Sequence, residues 1–341
     1  MISPLPTAAA MLAVWATSAA LTYAYYRVAL KVGPLALPNH RSLHQVPVPR
    51  GGGLAIATTA LLAYAVLLGT GGLDGARAMI YIGGGLIFGL LGAIDDRLEL
   101  SQKLRLGVQL IMGLWIYSWL GGFAGWAGSG MPHVLGWMGY GLLLVVWVWL
   151  FNAFNFVDGT DGMAAAATVY IAAVMAAVLA FAGLHSTALV LFVLAAASGG
   201  FLLFNAPPAR LFMGDAGSAF IGYILVAAMV DSCRQNGDLV WIWLICTGFY
   251  LCDTTITTST RALRTPRFWE GHRSHAYQNL ARVWHSHAKV LGLAQIINLL
   301  WLLPWVVVAM KLPGSGPLIT LVALLPLAVF SLKFGPLYQD K

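Results

Sequence analysis

Residues 162–182 read GMAAAATVYIAAVMAAVLAFA, and residues 186–204 read STALVLFVLAAASGGFLLF. Neither run contains Asp, Glu, Lys or Arg, and each approaches the roughly 20 apolar residues that a helix needs to cross a bilayer core. Comparable runs recur along all 341 residues, of which 60% are hydrophobic and only 9% charged. This composition predicts an all-α fold: a polytopic transmembrane helix bundle that forms one domain over residues 1–341 and lies in the lipid bilayer.

Eleven spans are predicted, with ten as the lower bound, and their order divides the connecting loops between two sides of the membrane. Sixteen of the 19 Lys and Arg residues fall on one side and three on the other. Because basic residues concentrate in cytoplasmic loops, the asymmetry predicts a periplasmic N-terminus and a cytoplasmic C-terminus. The net charge of +7 comes from these basic loop residues and is explained by membrane orientation, so no nucleic-acid partner is predicted. The predicted spans are residues 7–31, 51–69, 77–94, 104–121, 138–157, 162–182, 186–204, 217–231, 239–256, 289–310 and 317–333.

Acidic residues are scarce, and nine of the 12 lie on the predicted cytoplasmic side. A charge at the bilayer centre costs about 2.5 to 3.5 kcal/mol on insertion scales. We therefore expect the carboxylates near span ends to face an aqueous cavity or a bound cation. These carboxylates are Asp95, Asp96, Asp158, Asp161, Asp215 and Asp253.

The third predicted span ends in the sequence GAIDDR, residues 92–97. Two adjacent carboxylates at a helix end, Asp95 and Asp96, can both reach one polar site, and their mutual repulsion favours a cation beside them. Considered alone, the pair is explained equally well by a solvated helix end.

A second acidic motif, NAFNFVDGTDG, covers residues 152–162. Its polar residues recur at every third position, so neighbours share a face, but a continuous helix would place the first and last on opposite sides. Gly159 and Gly162 predict a break that lets Asp158, Asp161 and an asparagine converge on one ligand. An ordinary Asp-Gly turn would explain one aspartate but not the polar row.

Asp215 lies in a third motif, GDAGS at residues 214–218, which opens the eighth predicted span. An aspartate in this position could be a plain helix N-cap. Because it is the third acidic cluster on the same side of an acid-poor protein, we favour a shared site.

Two loops supply basic groups. The longest one contains His272, Arg273 and His275, whose donors can bind anionic oxygens; a His-His metal site is the alternative. The segment 38–53 combines basic residues, prolines and glycines and ends near Arg50. It is interpreted either as an anion-facing loop or as a basic connector.

Carboxylates in excess predict a hard divalent cation, Mg2+ with Mn2+ as the alternative. Mg2+ typically takes one or two protein carboxylates and completes its coordination with waters and substrate phosphates. A phosphorylated substrate is therefore expected, with catalysis by positioning and charge neutralisation. A site at the rim of a helix bundle suits a reaction between a soluble substrate and a lipid.

The ordered motifs resemble those of the polyprenyl-phosphate N-acetylhexosamine-1-phosphate transferases, the glycosyltransferase family 4 type, which are related to phospho-N-acetylmuramoyl-pentapeptide transferase. The resemblance covers nearly the whole chain. It implies Mg2+-dependent transfer of a sugar-1-phosphate from a UDP-N-acetyl sugar to undecaprenyl phosphate, giving a lipid-linked diphosphate sugar and UMP. It also implies a place at the cytoplasmic face of the bacterial inner membrane, where such a reaction would initiate O-antigen or another surface polysaccharide.

The resemblance implies a role for each motif. The catalytic candidates are Asp95 and Asp96, and the metal ligands are Asp215 and Asp96. The implied substrate-binding residues are Arg50, Lys103, Asn152, Asn155, Asp158, Asp161, His272, Arg273 and His275. The active site is expected to form from cytoplasmic loops 32–50, 95–103, 158–161, 205–216 and 257–288.

The late loop departs from the His-x-His-His pattern of many relatives, because it reads His272-Arg273-Ser274-His275. That sequence is closer to the surface-polysaccharide branch and argues against a muramoyl-pentapeptide donor. The choice among GlcNAc, GalNAc, FucNAc and QuiNAc stays open, as does the choice between monomer and homodimer.

Two other classes compete with this interpretation. Intramembrane carboxylates also mark the ion paths of transporters, but here the acids follow one face and no internal repeat is found. A CDP-alcohol phosphotransferase would need Ala-Arg soon after the first Asp-Gly, where this chain has alanines after Gly162.

Overall fold

The computed structural model describes residues 4–32, 35–36, 47–121, 133–265 and 272–337. Within these ranges the chain is helical apart from its loops and one short antiparallel pair, β1 (Leu35–Ala36) with β2 (Val48–Pro49). The predicted all-α membrane fold is confirmed. Most of the basic segment before Arg50, including residues 38–44, and residues 266–271 of the late loop lie outside the described residues.

Each of the eleven predicted spans falls on a helix or on a run of joined helices. Short π-helical stretches at Met79–Gly84 and Ile297–Leu302 join α3 to α4 and α13 to α14. The helices are α1 (Pro4–Val32), α2 (Gly53–Gly69), α3 (Gly75–Ala78), α4 (Gly85–Leu98), α5 (Gln102–Trp119), α6 (His133–Asn155), α7 (Met163–Phe181), α8 (His185–Asn205), α9 (Asp215–Gln235), α10 (Leu239–Cys246), α11 (Gly248–Arg264), α12 (Ala276–Trp284), α13 (His287–Ile296), α14 (Leu303–Lys311) and α15 (Gly316–Phe334).

Seven helical runs of the described chain are long and apolar enough to cross a membrane, or up to eight if the bent pair α10 and α11 is one span. Helix α2 (Gly53–Gly69) and the stretch Leu144–Asn155 of α6 are apolar as well but shorter than that length. The count of eleven spans and the orientation of the termini therefore stay predictions.

Helices α7, α8 and α9 form the centre of the bundle, because most of their residues are buried, whereas most residues of the similarly apolar α15 are not. Small residues allow close packing around them, as is usual in membrane helices. A Cβ at Gly200 of α8 would lie 2.4 Å from the Trp15 carbonyl oxygen of α1. Ser18 Oγ strengthens that contact by donating a hydrogen bond to the Ala197 carbonyl, at 2.6 Å.

The predicted single span over residues 239–256 is instead two helices that meet at a bend of 77°. Gly248 opens the second helix, and a Cβ there would lie 2.2 Å from Leu324 Cδ2, so the close contact with α15 depends on the missing side chain. Because α11 continues to Arg264, Asp253 lies inside a helix and not near the end of a span.

A buried ion-pair network anchors the end of α9 that is remote from Asp215. Asp231 is 1% exposed and accepts hydrogen bonds from Arg77 Nε at 2.9 Å and Thr187 Oγ1 at 2.6 Å. Tyr81 and Gln235 add two further donors. With its charge paired and its oxygens bonded, this carboxylate joins α9 to α8 and to the run from α3 to α4.

Candidate active site

Asp96, at the end of α4, binds the beginning of α9. One carboxylate oxygen accepts the Asp215 N–H at 2.9 Å, and the other accepts the Ala216 N–H at 3.1 Å. Asp96 therefore caps α9 from a different helix and satisfies N–H groups that lack an intrahelical partner. Gly214 has a φ of +74°, and a Cβ there would lie 2.6 Å from Asp96 Oδ2, which explains the glycine before Asp215.

The loop before α2 is hydrogen-bonded along its backbone to the loop before α9. Phe212 N–H donates to the Pro49 carbonyl at 2.9 Å, and Gly52 N–H donates back to the Phe212 carbonyl at 3.0 Å. Tyr25 of α1 adds a hydrogen bond from its hydroxyl to the Arg50 carbonyl, at 2.9 Å. These bonds fix the backbone of Arg50 beside Asp215.

The Arg50 side chain bridges two carboxylates from different helices. Its Nε donates to Asp96 Oδ1 at 2.9 Å, and its Nη2 donates to Asp215 Oδ2 at 3.0 Å. Burial lowers the pKa of Arg50, but the negative charges of Asp96 and Asp215 outweigh burial and raise it above its ordinary value. The Asp96 side chain is 4% exposed and that of Asp215 is 28% exposed, so Asp215 is the more accessible of the two.

Asp158 lies in the predicted break between α6 and α7. Residues 156–162 form turns, and Gly162 has a φ of +74°, so the glycine-dependent break is confirmed. Burial, followed by the charges of Asp215 and Asp96, raises the pKa of Asp158 well above its ordinary value. Among the described residues we find no hydrogen bond to its carboxylate, so Asp158 is available to a ligand.

The two asparagines of the same motif have different surroundings. Asn155 Oδ1 accepts a hydrogen bond from Ser218 Oγ at 2.6 Å, which places it beside the first turn of α9. Asn152 donates to Gln109 Oε1 at 2.8 Å and thereby joins α6 to α5. Asn155 is thus beside Asp215, whereas Asn152 contributes to helix packing.

Asp161 joins three segments of chain. Its Oδ2 accepts the Ala209 N–H at 3.0 Å, and its Oδ1 lies 3.0 Å from His287 Nδ1 at the start of α13. The sequence motifs gave no indication of His287, and only its position within the histidine pair His285 and His287 could have suggested it. Asp161 therefore positions the loop that carries Asp158.

Asp95 points to the α4–α5 turn. Its carboxylate accepts the Leu100 N–H at 2.7 Å and a hydrogen bond from Arg105 at 3.0 Å, and the residue is 6% exposed. Arg105, which lies outside the motifs predicted to form the site, neutralises it. Lys103, in the first turn of α5, is exposed.

The late loop packs against the turn that holds Asp158. Tyr277 donates a hydrogen bond to the Phe156 carbonyl at 2.6 Å, and a Cβ on Gly159 would lie 2.4 Å from the Tyr277 hydroxyl oxygen. Absence of a side chain at Gly159 therefore permits this contact. Neither Tyr277 nor its contact was expected from the sequence motifs.

The predicted basic residues of the late loop differ in accessibility. His275 is 3% exposed, and its Nδ1 lies 3.4 Å from the buried Asp253 carboxylate, which also accepts the Ala276 N–H at 2.8 Å. His272 stacks on His275 with ring centroids 4.9 Å apart, and both His272 and Arg273 are half-buried. Burial, with the nearby His275 and Arg261, lowers the pKa of His272 to about 3, so its imidazole is neutral at pH 7.

The charges at the start of α9 do not balance. When Asp96, Asp158 and Asp215 are all ionised, as a bound cation would favour, they carry three negative charges against the one positive charge of Arg50, which leaves −2. No group of three Asp, Glu, His or Cys residues is close enough to chelate an ion within the described chain. This donor set fits Mg2+, which takes few protein carboxylates and draws its other ligands from water and phosphates.

A largely apolar groove of about 450 Å3 adjoins the Asp96 carboxylate. Asp96 and Arg97 supply its charged groups, and the exposed side chains of Leu90 and Ile94 form part of its wall. Its other lining residues are Tyr25, Gly51, Leu54, Ala93 and Leu98.

The fold and the site define a polytopic membrane protein with a cluster of carboxylates at one end of its helix bundle. The family model for glycosyl transferase family 4 matches residues 78–233, which include the three acidic motifs but neither Arg50 nor the late loop. The chain belongs to this family, as its motifs predicted, and it is a transferase.

Three bacterial relatives support that membership. A probable undecaprenyl-phosphate N-acetylglucosaminyl 1-phosphate transferase of Bacillus subtilis is 32% identical over 274 residues, which cover 76% of this chain and 73% of the relative. A decaprenyl-phosphate N-acetylglucosaminephosphotransferase of Mycolicibacterium smegmatis is 31% identical, covering 81% and 76%. A phospho-N-acetylmuramoyl-pentapeptide-transferase of Heliobacterium modesticaldum is 32% identical, covering 57% and 68%.

Proposed function

We propose that this protein transfers N-acetylhexosamine-1-phosphate from a UDP-sugar to undecaprenyl phosphate, yielding a lipid-linked diphosphate sugar and UMP. The product would initiate O-antigen or another cell-surface polysaccharide. The observation that carries the proposal is the meeting of Asp96, Asp158 and Asp215 with Arg50 in a chain of this family. The names of the relatives favour N-acetylglucosamine as the first sugar to test.

The geometry favours Asp215 and Asp158 as the residues that would hold Mg2+. Asp215 is partly exposed and has one oxygen bound to Arg50, while Asp158 has no hydrogen-bond partner in the described chain. Asp96 is nearly buried and both its oxygens accept N–H donors, so we assign it the positioning of Asp215 in place of direct metal ligation. A bound Mg2+ ion would neutralise charge on the donor diphosphate.

In the proposed reaction, a phosphate oxygen of the acceptor attacks the β-phosphorus of the UDP-sugar. A new P–O bond forms, the bond from the β-phosphorus to the bridging oxygen breaks, and UMP leaves with that electron pair. A phosphate monoester has a second pKa of about 6, so the acceptor is largely ionised at pH 7 and needs no strong base. Asp95 is paired with Arg105 and need not serve as one.

The remaining residues would orient the substrates. Arg50 would bind a diphosphate oxygen, because guanidinium groups form directed hydrogen bonds to phosphate. Asn155 lies beside α9 and Arg273 lies in the loop packed on the Asp158 turn, so both are assigned to the donor. The apolar groove beside Asp96 suits the hydrocarbon of a lipid acceptor.

The orientation and the setting are part of the proposal. The 16 to 3 distribution of basic residues supports an active site that faces the cytoplasm, where UDP-sugars are found, in a bacterial inner membrane. A homodimer is compatible with this arrangement, and a monomer is equally so.

Purified full-length protein would be mixed with undecaprenyl phosphate, Mg2+ and a panel of UDP-N-acetyl sugars, and UMP release would be measured. We expect release with one donor, its loss in EDTA, and a fall of roughly 100-fold or more in Asp215→Asn, the scale set by removing a main electrostatic contact in a transition state. Asp238→Asn is the matched control, since Asp238 is an exposed aspartate at the N-terminus of α10, remote from the site. Full turnover in EDTA, or full activity of Asp215→Asn, would overturn the mechanism.

A further inference from the structure

Arg50 lies between the carboxylates of Asp96 and Asp215, which would face each other without it in the substrate-free protein. Its guanidinium lies 2.8 Å from Asp96 Oδ1 and 3.0 Å from Asp215 Oδ2. We propose that Arg50 is the resident counter-ion of the active site, which weakens divalent-cation binding until a substrate diphosphate draws the guanidinium away. Cation and nucleotide sugar would then bind cooperatively, coupled through this one side chain. The inference rests on the proposed function, because it presumes a metal and a diphosphate.

The backbone at Arg50 is fixed while its side chain has room to move. The Arg50 carbonyl accepts the Tyr25 hydroxyl, and Gly52 and Gly53 donate to the carbonyls of Phe212 and Met213 at 3.0 and 2.8 Å. The side chain itself is 35% exposed. A long arginine on such an anchor can exchange one anionic partner for another without a change in the fold.

Asp96 does not depend on Arg50 for its position. The N–H groups of Asp215 and Ala216 bind its carboxylate at 2.9 and 3.1 Å, and the N-terminal end of α9 stabilises its charge. Asp96 therefore stays satisfied when the guanidinium leaves. Asp215 is the residue whose surroundings would change, because Arg50 is its charged partner.

Charge determines the direction of the coupling. A guanidinium bound to Asp215 repels a divalent ion on the same carboxylate, and in a partly buried site this repulsion is weakly screened. A diphosphate offers Arg50 a pair of anionic oxygens, so binding of the diphosphate removes the repulsion. By linkage, the nucleotide raises cation affinity by the same factor by which the cation raises nucleotide affinity.

The test is Mn2+ binding to full-length detergent-purified protein, followed by the loss of the free-ion electron paramagnetic resonance signal, with and without UDP as an unreactive diphosphate probe. The variants are Arg50→Gln, which removes the charge, and Arg50→Lys, which keeps it. Arg105→Gln is the matched control, because Arg105 is also 35% exposed and bound to a buried aspartate, but contacts Asp95. Samples of UDP with Mn2+ alone correct for binding in solution.

In the wild type, UDP is expected to raise Mn2+ affinity at least about five-fold, the low end of typical site-to-site coupling. Without UDP, Arg50→Gln should bind Mn2+ more tightly than the wild type by a similar factor, and UDP should then add little. Arg50→Lys keeps the positive charge and should therefore still show enhancement of Mn2+ binding by UDP, and Arg105→Gln should change the affinity less than Arg50→Gln. Thermal unfolding checks that each variant is folded, and Arg50→Met replaces the glutamine variant if that protein is unfolded.

Equal or weaker Mn2+ binding by folded Arg50→Gln without UDP would overturn the inference, since Arg50 would then be a structural ion pair or a support for the ligand. Undiminished enhancement by UDP in that variant would overturn it as well. Wild-type protein that binds no Mn2+, with or without UDP, would instead refute the metal dependence of the proposed function, and the inference would fall with it.

Discussion

Replacement of Asp96 by alanine tests whether a carboxylate from α4 holds the beginning of α9. Alanine would leave the Asp215 and Ala216 N–H groups uncapped and would leave Arg50 with Asp215 as its remaining carboxylate. Loss of a helix cap costs about 0.5–2 kcal/mol, and breaking a buried ion pair costs about 3–5 kcal/mol. Because one carboxylate makes both sets of contacts, the terms overlap, and the exposure of Arg50 favours the lower part of the range. We expect Asp96→Ala to lower the free energy of unfolding by about 3 kcal/mol.

Asp96→Asn should be less damaging than Asp96→Ala. The amide keeps one oxygen as a hydrogen-bond acceptor but loses the charge, and neutral hydrogen bonds contribute about 0.5–1.5 kcal/mol against about 1.5–3 kcal/mol for charged ones. We therefore expect Asp96→Asn to lower the free energy of unfolding by about 1–2 kcal/mol. Both variants should also lose most transferase activity, because the Asp215 carboxylate would no longer be positioned.

The assay is thermal unfolding followed with a thiol-reactive fluorescent dye. It suits this protein because Cys246 is buried and Cys233 and Cys252 are partly buried, so labelling reports loss of structure. The matched control is Asp74→Ala: Asp74 also caps a helix, accepting the Arg77 N–H at 2.8 Å, but its side chain is 52% exposed. If Asp96→Ala unfolds at the same temperature as Asp74→Ala, the proposed role of Asp96 is refuted.

Two further predictions concern Asp158, in the loop after α6, and Asp231, near the end of α9. In EDTA at pH 8, Asp158→Asn should unfold at a higher temperature than the wild type while losing activity, because the raised pKa means that the ionised carboxylate destabilises the folded state. The difference in unfolding temperature between Asp158→Asn and the wild type should shrink as the pH falls through the folded-state pKa, because the wild-type carboxyl then takes up a proton. A lower unfolding temperature for Asp158→Asn than for the wild type at pH 8 would contradict this prediction. Asp231→Asn should destabilise the protein by about 3–5 kcal/mol through loss of its ion pair with Arg77. Asp231 lies 16 residues from Asp215 along α9, about 24 Å, so UMP release per folded molecule should be unchanged, and a lower turnover of the folded variant would show that the two ends are coupled.

The positions of the helices could be predicted from the sequence because the apolar runs are long and are bounded by polar or glycine-containing segments. The break at Gly162 was predictable for the same local reason, since polar spacing and glycine act over a few residues. The bend before Gly248 was not, because residues 239–256 are apolar enough to be interpreted as one span, and the packing of Gly248 against Leu324 of another helix is not visible in the local sequence.

The sequence by itself determined that this is a membrane protein, which family it belongs to, and that its acidic motifs occur at helix ends. Only the tertiary structure decided which carboxylates are already paired. Asp95 is bound by Arg105 and Asp161 by the Ala209 N–H, whereas Asp158 accepts no hydrogen bond within the described chain. The physical reason is distance along the chain: Arg50 meets Asp96 across 46 residues and Asp215 across 165, and local patterns of charge do not specify such pairs.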